Sequence, residues 1–335
     1  MNTITGGGAF TRQNISDING NFQQVGGPWT PNGKVVYLSP SSGNMQPQDG
    51  SGAKPYTALS AAYSAVRTSQ NDQLVLVGDG TTAATARVDA AFTWSVSSGS
   101  LIGYGAPNIY GQRARIAPTA STTAFSPFFT ITGNGNLFQC IEWFHGFTAG
   151  TATEICLTLT NASHNVFQRC QIAGMGDTDG TSGTGTGSRS LKISGGGENL
   201  FEDCVIGLDT VARTVANASI EFAGGTARNV FRRCILPFFA TGAGALGILG
   251  TGNACVDRAN IFEDCLFVNS VKSGAGTAMT ALGSFSTASP GGLIVLKRCM
   301  AVGITKFGDT NFLTNSYIDM ASVSNSAGGL GVNPS

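Results

Sequence analysis

The chain has 335 residues, 41% of them apolar, enough to bury a sizeable core in one large or two modest domains. Only 11% are charged, against about 25% in ordinary soluble domains, and the 47 glycines are about twice the usual share, a profile of turns and strands rather than helices. Nineteen basic and nineteen acidic residues cancel, which excludes the basic footprint of a nucleic-acid binder or of a protein docking on an anionic membrane.

Met1 to Gly6 shows neither a basic n-region nor an apolar h-region, so no secretory signal is expected and synthesis is expected in a cytoplasm. Eight cysteines are then expected reduced. Residues 1–32 read as an extended N-terminal arm. Residues 33–80 read as a strand–helix–strand unit: Gly33 to Leu38, then Tyr56 to Arg67 with Leu59, Ala62, Tyr63 and Val66 at helical spacing after Pro55, then Asp72 to Val77. The helix is expected to cap the open end of a solenoid formed by the residues after it, since an uncovered terminal coil is an aggregation edge.

Residues 81–317 carry an internal repeat that decides the fold. The phrase is Asn, aliphatic, Phe, two polar residues, Cys. It appears at Asn165 to Cys170, Asn199 to Cys204, Asn229 to Cys234 and Asn260 to Cys265, with a degenerate copy at Ile294 to Cys299. Asn136-Leu137-Phe138 begins the series with Ile141 in the cysteine position. The aromatic positions 138, 167, 201, 231, 262 and 296 are separated by 29, 34, 30, 31 and 34 residues. A period near 30 with variable Gly/Ser/Thr-rich inserts predicts a right-handed parallel β-helix, an all-β solenoid whose insertions bulge outward. Stacked copies align Phe167, Phe201, Phe231 and Phe262 inside, with an inward column of Cys170, Cys204, Cys234, Cys265 and Cys299. Cys140, Cys156 and Cys255 lie off that column and receive no role.

The bend between Phe and Cys reads Gln168-Arg169, Glu202-Asp203, Arg232-Arg233, Glu263-Asp264, Lys297-Arg298, so the sign of charge alternates up the stack. Parallel neighbours sit about 4.8 Å apart, which sets opposite charges side by side. Each exposed pair contributes only about 0–1 kcal/mol, so the ladder is expected to set register. Glu202 and Glu263, two coils and roughly 9–10 Å apart, touch the ~6.5–9.5 Å separation of inverting glycosidases. Arg232 and Arg233 between them hold both ionised, whereas a general acid needs a raised pKa; no catalytic residue is assigned.

Asp177-Thr178-Asp179-Gly180 lacks the third oxygen ligand and closing Glu of a calcium loop and reads as a solvated insert. His145 and His164 have no partner His, Cys or carboxylate at metal spacing. Gly6-Gly7-Gly8 and Gly195-Gly196-Gly197 precede no Gly-Lys-Ser/Thr and read as turns. No metal or cofactor is expected. Leu236, Phe238, Phe239, Leu246, Ile248 and Leu249 form the one stretch too hydrophobic for an exposed insert; they read either as core or as an interface between chains. Residues 318–335 read as a polar C-terminal tail.

Gly33 to Ser39, the Asp49-Gly50 turn, the helix start Pro55-Tyr56-Thr57-Ala58-Leu59 and Asp72 to Val77 together resemble tailed-bacteriophage virion proteins with a pectate-lyase-like β-helix. With the repeats, the resemblance covers about residues 33 to 300. It implies a structural virion protein, a decoration component on the capsid exterior, homotrimeric and bound to the major capsid protein lattice. Such proteins have structural cousins among tailspikes that bind or cleave host glycans; the acidic pairs of the cleaving kind are missing here, so the expectation is no enzyme activity.

Overall fold

The structure, a computed structural model, describes residues 33–43, 47–105, 110–112, 114–119, 125–146, 153–174, 185–270 and 277–323. The arm expected over residues 1–32, most of the tail expected over 318–335, Gly6 to Gly8 and the Asp177 to Gly180 loop lie outside the described residues. The rest forms a right-handed parallel β-helix of three strand rows, the first two joined into one sheet through Leu293–Val302 and each row called a sheet below. Each coil runs from the first sheet through a two-residue bend into the second, then through a loop of variable length into the third, and back through a turn.

The first sheet stacks Val35–Leu38, Gln73–Val77, Ser100–Tyr104, Leu137–Gln139, Val166–Gln168, Leu200–Glu202, Val230–Arg232 and Ala259–Glu263 on the leading half of Leu293–Val302 and of Ser316–Val323. The second sheet includes Glu142–Phe144, Gln171–Ala173, Val205–Ile206, Ile235–Phe238 and Leu266–Asn269. The third runs from Phe92–Trp94 through Ile155–Thr160, Arg189–Ser194, Ala218–Ala223 and Leu246–Thr251 to Ile304–Gly308.

Because side chains alternate across a strand, one residue of each repeated phrase always points inward. Phe138, Phe167, Phe201, Phe231 and Phe262 occupy this column in register, fully buried, with successive ring centroids 4.8, 4.4, 4.6 and 4.4 Å apart and the rings stacked nearly parallel. The strand spacing dictates that separation. Leu74 and Leu101 precede the rings in the same column, and Leu296 and Ile318 follow them.

The asparagine of the phrase builds a second buried column. The Oδ1 of Asn165, Asn199, Asn229 and Asn260 each accepts both the backbone N–H and the Nδ2 of the asparagine one coil earlier, at 2.8–3.2 Å. The second Nδ2 proton goes to a backbone carbonyl, Gly133 for Asn165 and Ala162 for Asn199. At the top Ile294 takes the asparagine position, and Asn260 Nδ2 turns to Thr226 Oγ1 at 3.0 Å. At the bottom Asp72 takes it, accepting the Lys34 and Arg67 N–H groups and a bidentate contact from the Arg67 guanidinium. That contact, led by the Arg67 side-chain hydrogen bonds, pulls Asp72 down to about 2.

Among the described residues a short helix sits near each end. Helix α1, Leu59–Ser64, is shorter than Tyr56 to Arg67 and buries Leu59 and Ala62 over the first coils. The flanking strands expected to belong to a separate cap instead join the first sheet. At the other end the solenoid continues past residue 317: Ser316–Val323 pairs with Ile294 to Val302, so the boundary at 318 cuts a strand. Helix α2, Thr310–Thr314, begins on Asp309, whose side chain accepts the Phe312 N–H at 2.8 Å. Phe312 plugs the third sheet. A Cβ on Gly283 or Gly308 would come within 2.2–2.4 Å of that ring, so both positions require glycine.

Candidate functional site

The bend between the first two sheets turns on one residue in the left-handed region: Cys140, Arg169, Asp203, Arg233, Asp264 and Arg298 all have φ between 52° and 55°. The two bend side chains of successive coils then meet. Arg233 lies 2.9 Å from Glu202 and 2.7 Å from Asp203; Arg232 lies 3.7 Å from Glu202 and 3.1 Å from Glu263. Lys297 and Arg298 each lie 2.9 Å from Glu263, and Arg298 lies 2.8 Å from Asp264. Gln139 and Gln168 continue the row below through amide hydrogen bonds, and Asp319 sits in register with Lys297 above it. Hydrogen bonds from Lys297, Arg298 and Arg232 hold Glu263 at about 2. A carboxylate so held cannot be a general acid at neutral pH, which removes Glu263 from that role.

Cys170, Cys204, Cys234, Cys265 and Cys299 are buried free thiols, and each Sγ donates to the carbonyl of the column residue one coil earlier, at 3.3–3.4 Å. Burial raises the pKa of Cys204 and Cys234, which disfavours their thiolate forms. The stretch read as core or interface is largely core. Leu236, Phe238 and Ile248 are fully buried and Phe239 nearly so, while Leu246 and Leu249 are half-buried. The run Ile235 to Thr251 spans a second-sheet strand and a third-sheet strand, so two inward faces read as one apolar segment.

Both histidines face a glutamate, from positions that local spacing does not reveal. His164 Nε2 lies 2.6 Å from Glu198, which also pairs with Arg228 one coil further on. His145 Nδ1 lies 3.4 Å from Glu154, both fully buried; burial brings His145 down to about 4, so the imidazole is neutral. Among the described residues no three His, Cys, Asp or Glu side chains gather as metal ligands.

The outer face of the third sheet is the polar one. Leu157, Leu159, Leu191, Ile193, Ile220, Phe222 and Ile248 pack inward; the alternate positions therefore face away. They form two columns in register: Thr130, Thr158, Lys192, Glu221, Leu249 and Ser284, beside Thr160, Ser194, Ala223 and Thr251. Glu221 is the hub. It lies 2.6 Å from Arg189 Nε and 2.9 Å from Lys192 Nζ, and accepts Thr251 Oγ1 at 2.8 Å. Burial alone raises its pKa, but Arg189, Lys192 and Thr251 outweigh burial and hold it below the usual range. Near this face Arg213 is buried, its guanidinium donating to Asn217 Oδ1 and O, Ser219 Oγ and the Leu246 carbonyl, and lying 5.4 Å over Phe238. Burial lowers Arg213 to about 9, so it stays charged. The sequence reading missed this cluster, although Ser219-Ile220-Glu221-Phe222 alternates polar with apolar and so marks Glu221 as facing away from the core.

No protein-family model matches the chain, and no curated protein sequence does. Solved structures do. Pectate lyase Pel9A superposes with a TM-score of 0.57 at 15% identity over 88% of this chain and 69% of its own. The deglycosylated pectin methylesterase from Aspergillus niger gives a TM-score of 0.52 at 13% identity over 89% and 82%. A pectin methylesterase in complex with a hexasaccharide gives 0.51 at 16% identity over 82% and 80%. At these identities the likeness is one of fold.

Proposed function

We propose that the chain binds a surface polysaccharide, as a tailspike or receptor-binding protein does, and that the glycan lies along the outer face of the third sheet. The carrying observation is the chemistry of that face. Thr130, Thr158, Lys192, Glu221 and Ser284 stand in one row along the solenoid, interrupted by Leu249, a row of donors and acceptors suited to a polyol. The structural neighbours named above, a pectate lyase and pectin methylesterases, support a glycan as ligand. Glu221, held ionised by Arg189 and Lys192, accepts hydrogen bonds and is unsuited to protonating a leaving group. The reading is therefore binding without cleavage.

A second reading, an oligomeric decoration protein on a major capsid lattice, is favoured by a half-exposed aliphatic stripe on the outer face of the first sheet, which suits attachment to protein. One experiment separates the two. The full chain is titrated calorimetrically with bacterial surface polysaccharides, polymer length is followed by size-exclusion chromatography, and co-sedimentation with undecorated phage heads is scored in parallel. Binding with unchanged polymer length supports the first reading. Shortened polymer overturns the absence of cleavage; sedimentation with heads alone supports the second reading and ends the first.

A further inference from the structure

The outer face of the first sheet is apolar where that of the third is polar. Val166, Leu200, Val230, Ile261, Val295 and Tyr317 follow one another in register. The first five are half-buried and Tyr317 is 62% exposed. At about 4.8 Å per strand they make a stripe about 24 Å long. Alongside, on the same face, run Gln168, Glu202, Arg232, Glu263, Lys297 and Asp319. An aliphatic side chain turned outward on each of five successive coils, followed by Tyr317 and bordered by charge, has the anatomy of an interface.

The charges say what fits. Counting each bend pair, the successive coils carry +1 (Arg169), −2 (Glu202, Asp203), +2 (Arg232, Arg233), −2 (Glu263, Asp264), +2 (Lys297, Arg298) and −1 (Asp319). Read in reverse, the series has the opposite sign at every position. We infer that this face joins a second copy of the chain about a two-fold axis lying along the strands, between the coils of Phe231 and Phe262, with the two solenoids antiparallel. That operation preserves position along the strand and reverses coil order, so stripe meets stripe and ladder meets ladder. Leu200 then faces Val295, Val230 faces Ile261 and Val166 faces Tyr317. Glu202 faces Lys297, Arg232 faces Glu263 and Gln168 faces Asp319. On the other border His164, Glu198 and Arg228 face Asn315, Leu293 and Ala259, again without like charges.

A parallel copy, about a two-fold axis along the solenoid, sets each coil level with its own equivalent and so puts like charge on like charge across this face. The stripe drives association, and the ladders select the antiparallel orientation. This inference is independent of the glycan-binding face.

Disulfide trapping of the full chain tests it, because all eight native cysteines are buried. In one chain Leu200 and Val295 lie three coils apart, about 14 Å, beyond the ~7 Å Cα separation a disulfide spans. Mixing a Leu200→Cys chain with a Val295→Cys chain should therefore give the crosslinked heterodimer, while Leu200→Cys alone gives none. A crosslink from Leu200→Cys alone, or a wild-type chain that stays monomeric in light scattering at every concentration, overturns the proposal. Leu200→Lys should shift dimer to monomer with an unchanged far-ultraviolet circular dichroism spectrum, since the side chain lies outside the core, and its unfolding midpoint should no longer depend on protein concentration; persistence of the dimer equally overturns the proposal.

Discussion

Replacing Asn199 by aspartate changes one amide into a carboxyl of the same shape and should make the stability of the solenoid depend on acid. Asn199 Nδ2 donates to Asn229 Oδ1 at 2.8 Å and to the Ala162 carbonyl at 2.9 Å, in a site 1% exposed. An ionised carboxylate at this position has no proton for either. Each buried acceptor left alone costs about 1–3 kcal/mol, so two cost roughly 2–6, with a buried charge added against two acceptors. Burial and those acceptors favour the protonated acid, so its folded pKa lies above the ~3.9 of the unfolded chain. Stability is then fully present below about pH 4 and is lost as pH rises through the folded pKa. The parent should not recover on acidification, since Asp72 and Glu263 are held at about 2 and remain charged. Urea unfolding at about pH 4 and about pH 7 checks this: with one O–H for two acceptors, Asn199→Asp should recover part of its deficit at the lower pH and fall well short of the parent at the higher. Equal deficits at both would mean that the amide column does not carry the hydrogen bonds described. Asp72 shows the condition under which a carboxylate is tolerated in this column: Arg67 and two N–H groups supply the protons that a neighbouring asparagine does not.

Phe231→Ala should cost about 3–5 kcal/mol, at the upper end because two stacked neighbours at 4.6 and 4.4 Å are lost with the ring; an unchanged unfolding midpoint would show that the ring is not buried. Reversing Glu202 and Asp203 to lysine places cations on three successive coils, and the resulting loss of stability should shrink as salt rises, because exposed charges are screened within about 10 Å at 0.1 M; a salt-independent loss contradicts the ladder. Lys192→Gln, at the more exposed side chain of that cluster, should weaken polysaccharide binding while Glu221 keeps Arg189 and Thr251, whereas undiminished calorimetric affinity places the ligand elsewhere. The native protein should leave its eight thiols unmodified by an alkylating reagent until denatured, since all are buried; rapid modification of the folded chain refutes that packing.

The columns of Phe, Cys and Asn are legible in the sequence because a solenoid stacks equivalent residues on each other, so that a phrase recurring every 29 to 34 residues is also a list of contacts. Alternating bend charges are legible for the same reason. What the phrase hides is the direction of its second residue. Val166, Leu200, Val230 and Ile261 look like core beside a recurring Phe, yet strand alternation turns them outward. The polar hub is hidden differently. Glu221 takes its partners from Arg189, 32 residues earlier, and Thr251, 30 residues later, and no local window contains both. The end of the solenoid is misplaced in the sequence because Ser316–Val323 carries Ile318 and Met320 in the column positions, and neither matches the phrase.

Alternation of charge at the bend also constrains how such a chain can change length. Excising the single coil that carries Glu202 and Asp203 would bring Arg169 beside Arg232 and Arg233, cation upon cation, although the aromatic, amide and thiol columns would close over the gap without a fault. Excising that coil together with the next brings Arg169 beside Glu263 and Asp264, and the pattern is restored. The surface therefore has a repeat twice as long as that of the core, and gain or loss of coils by recombination should be tolerated in twos.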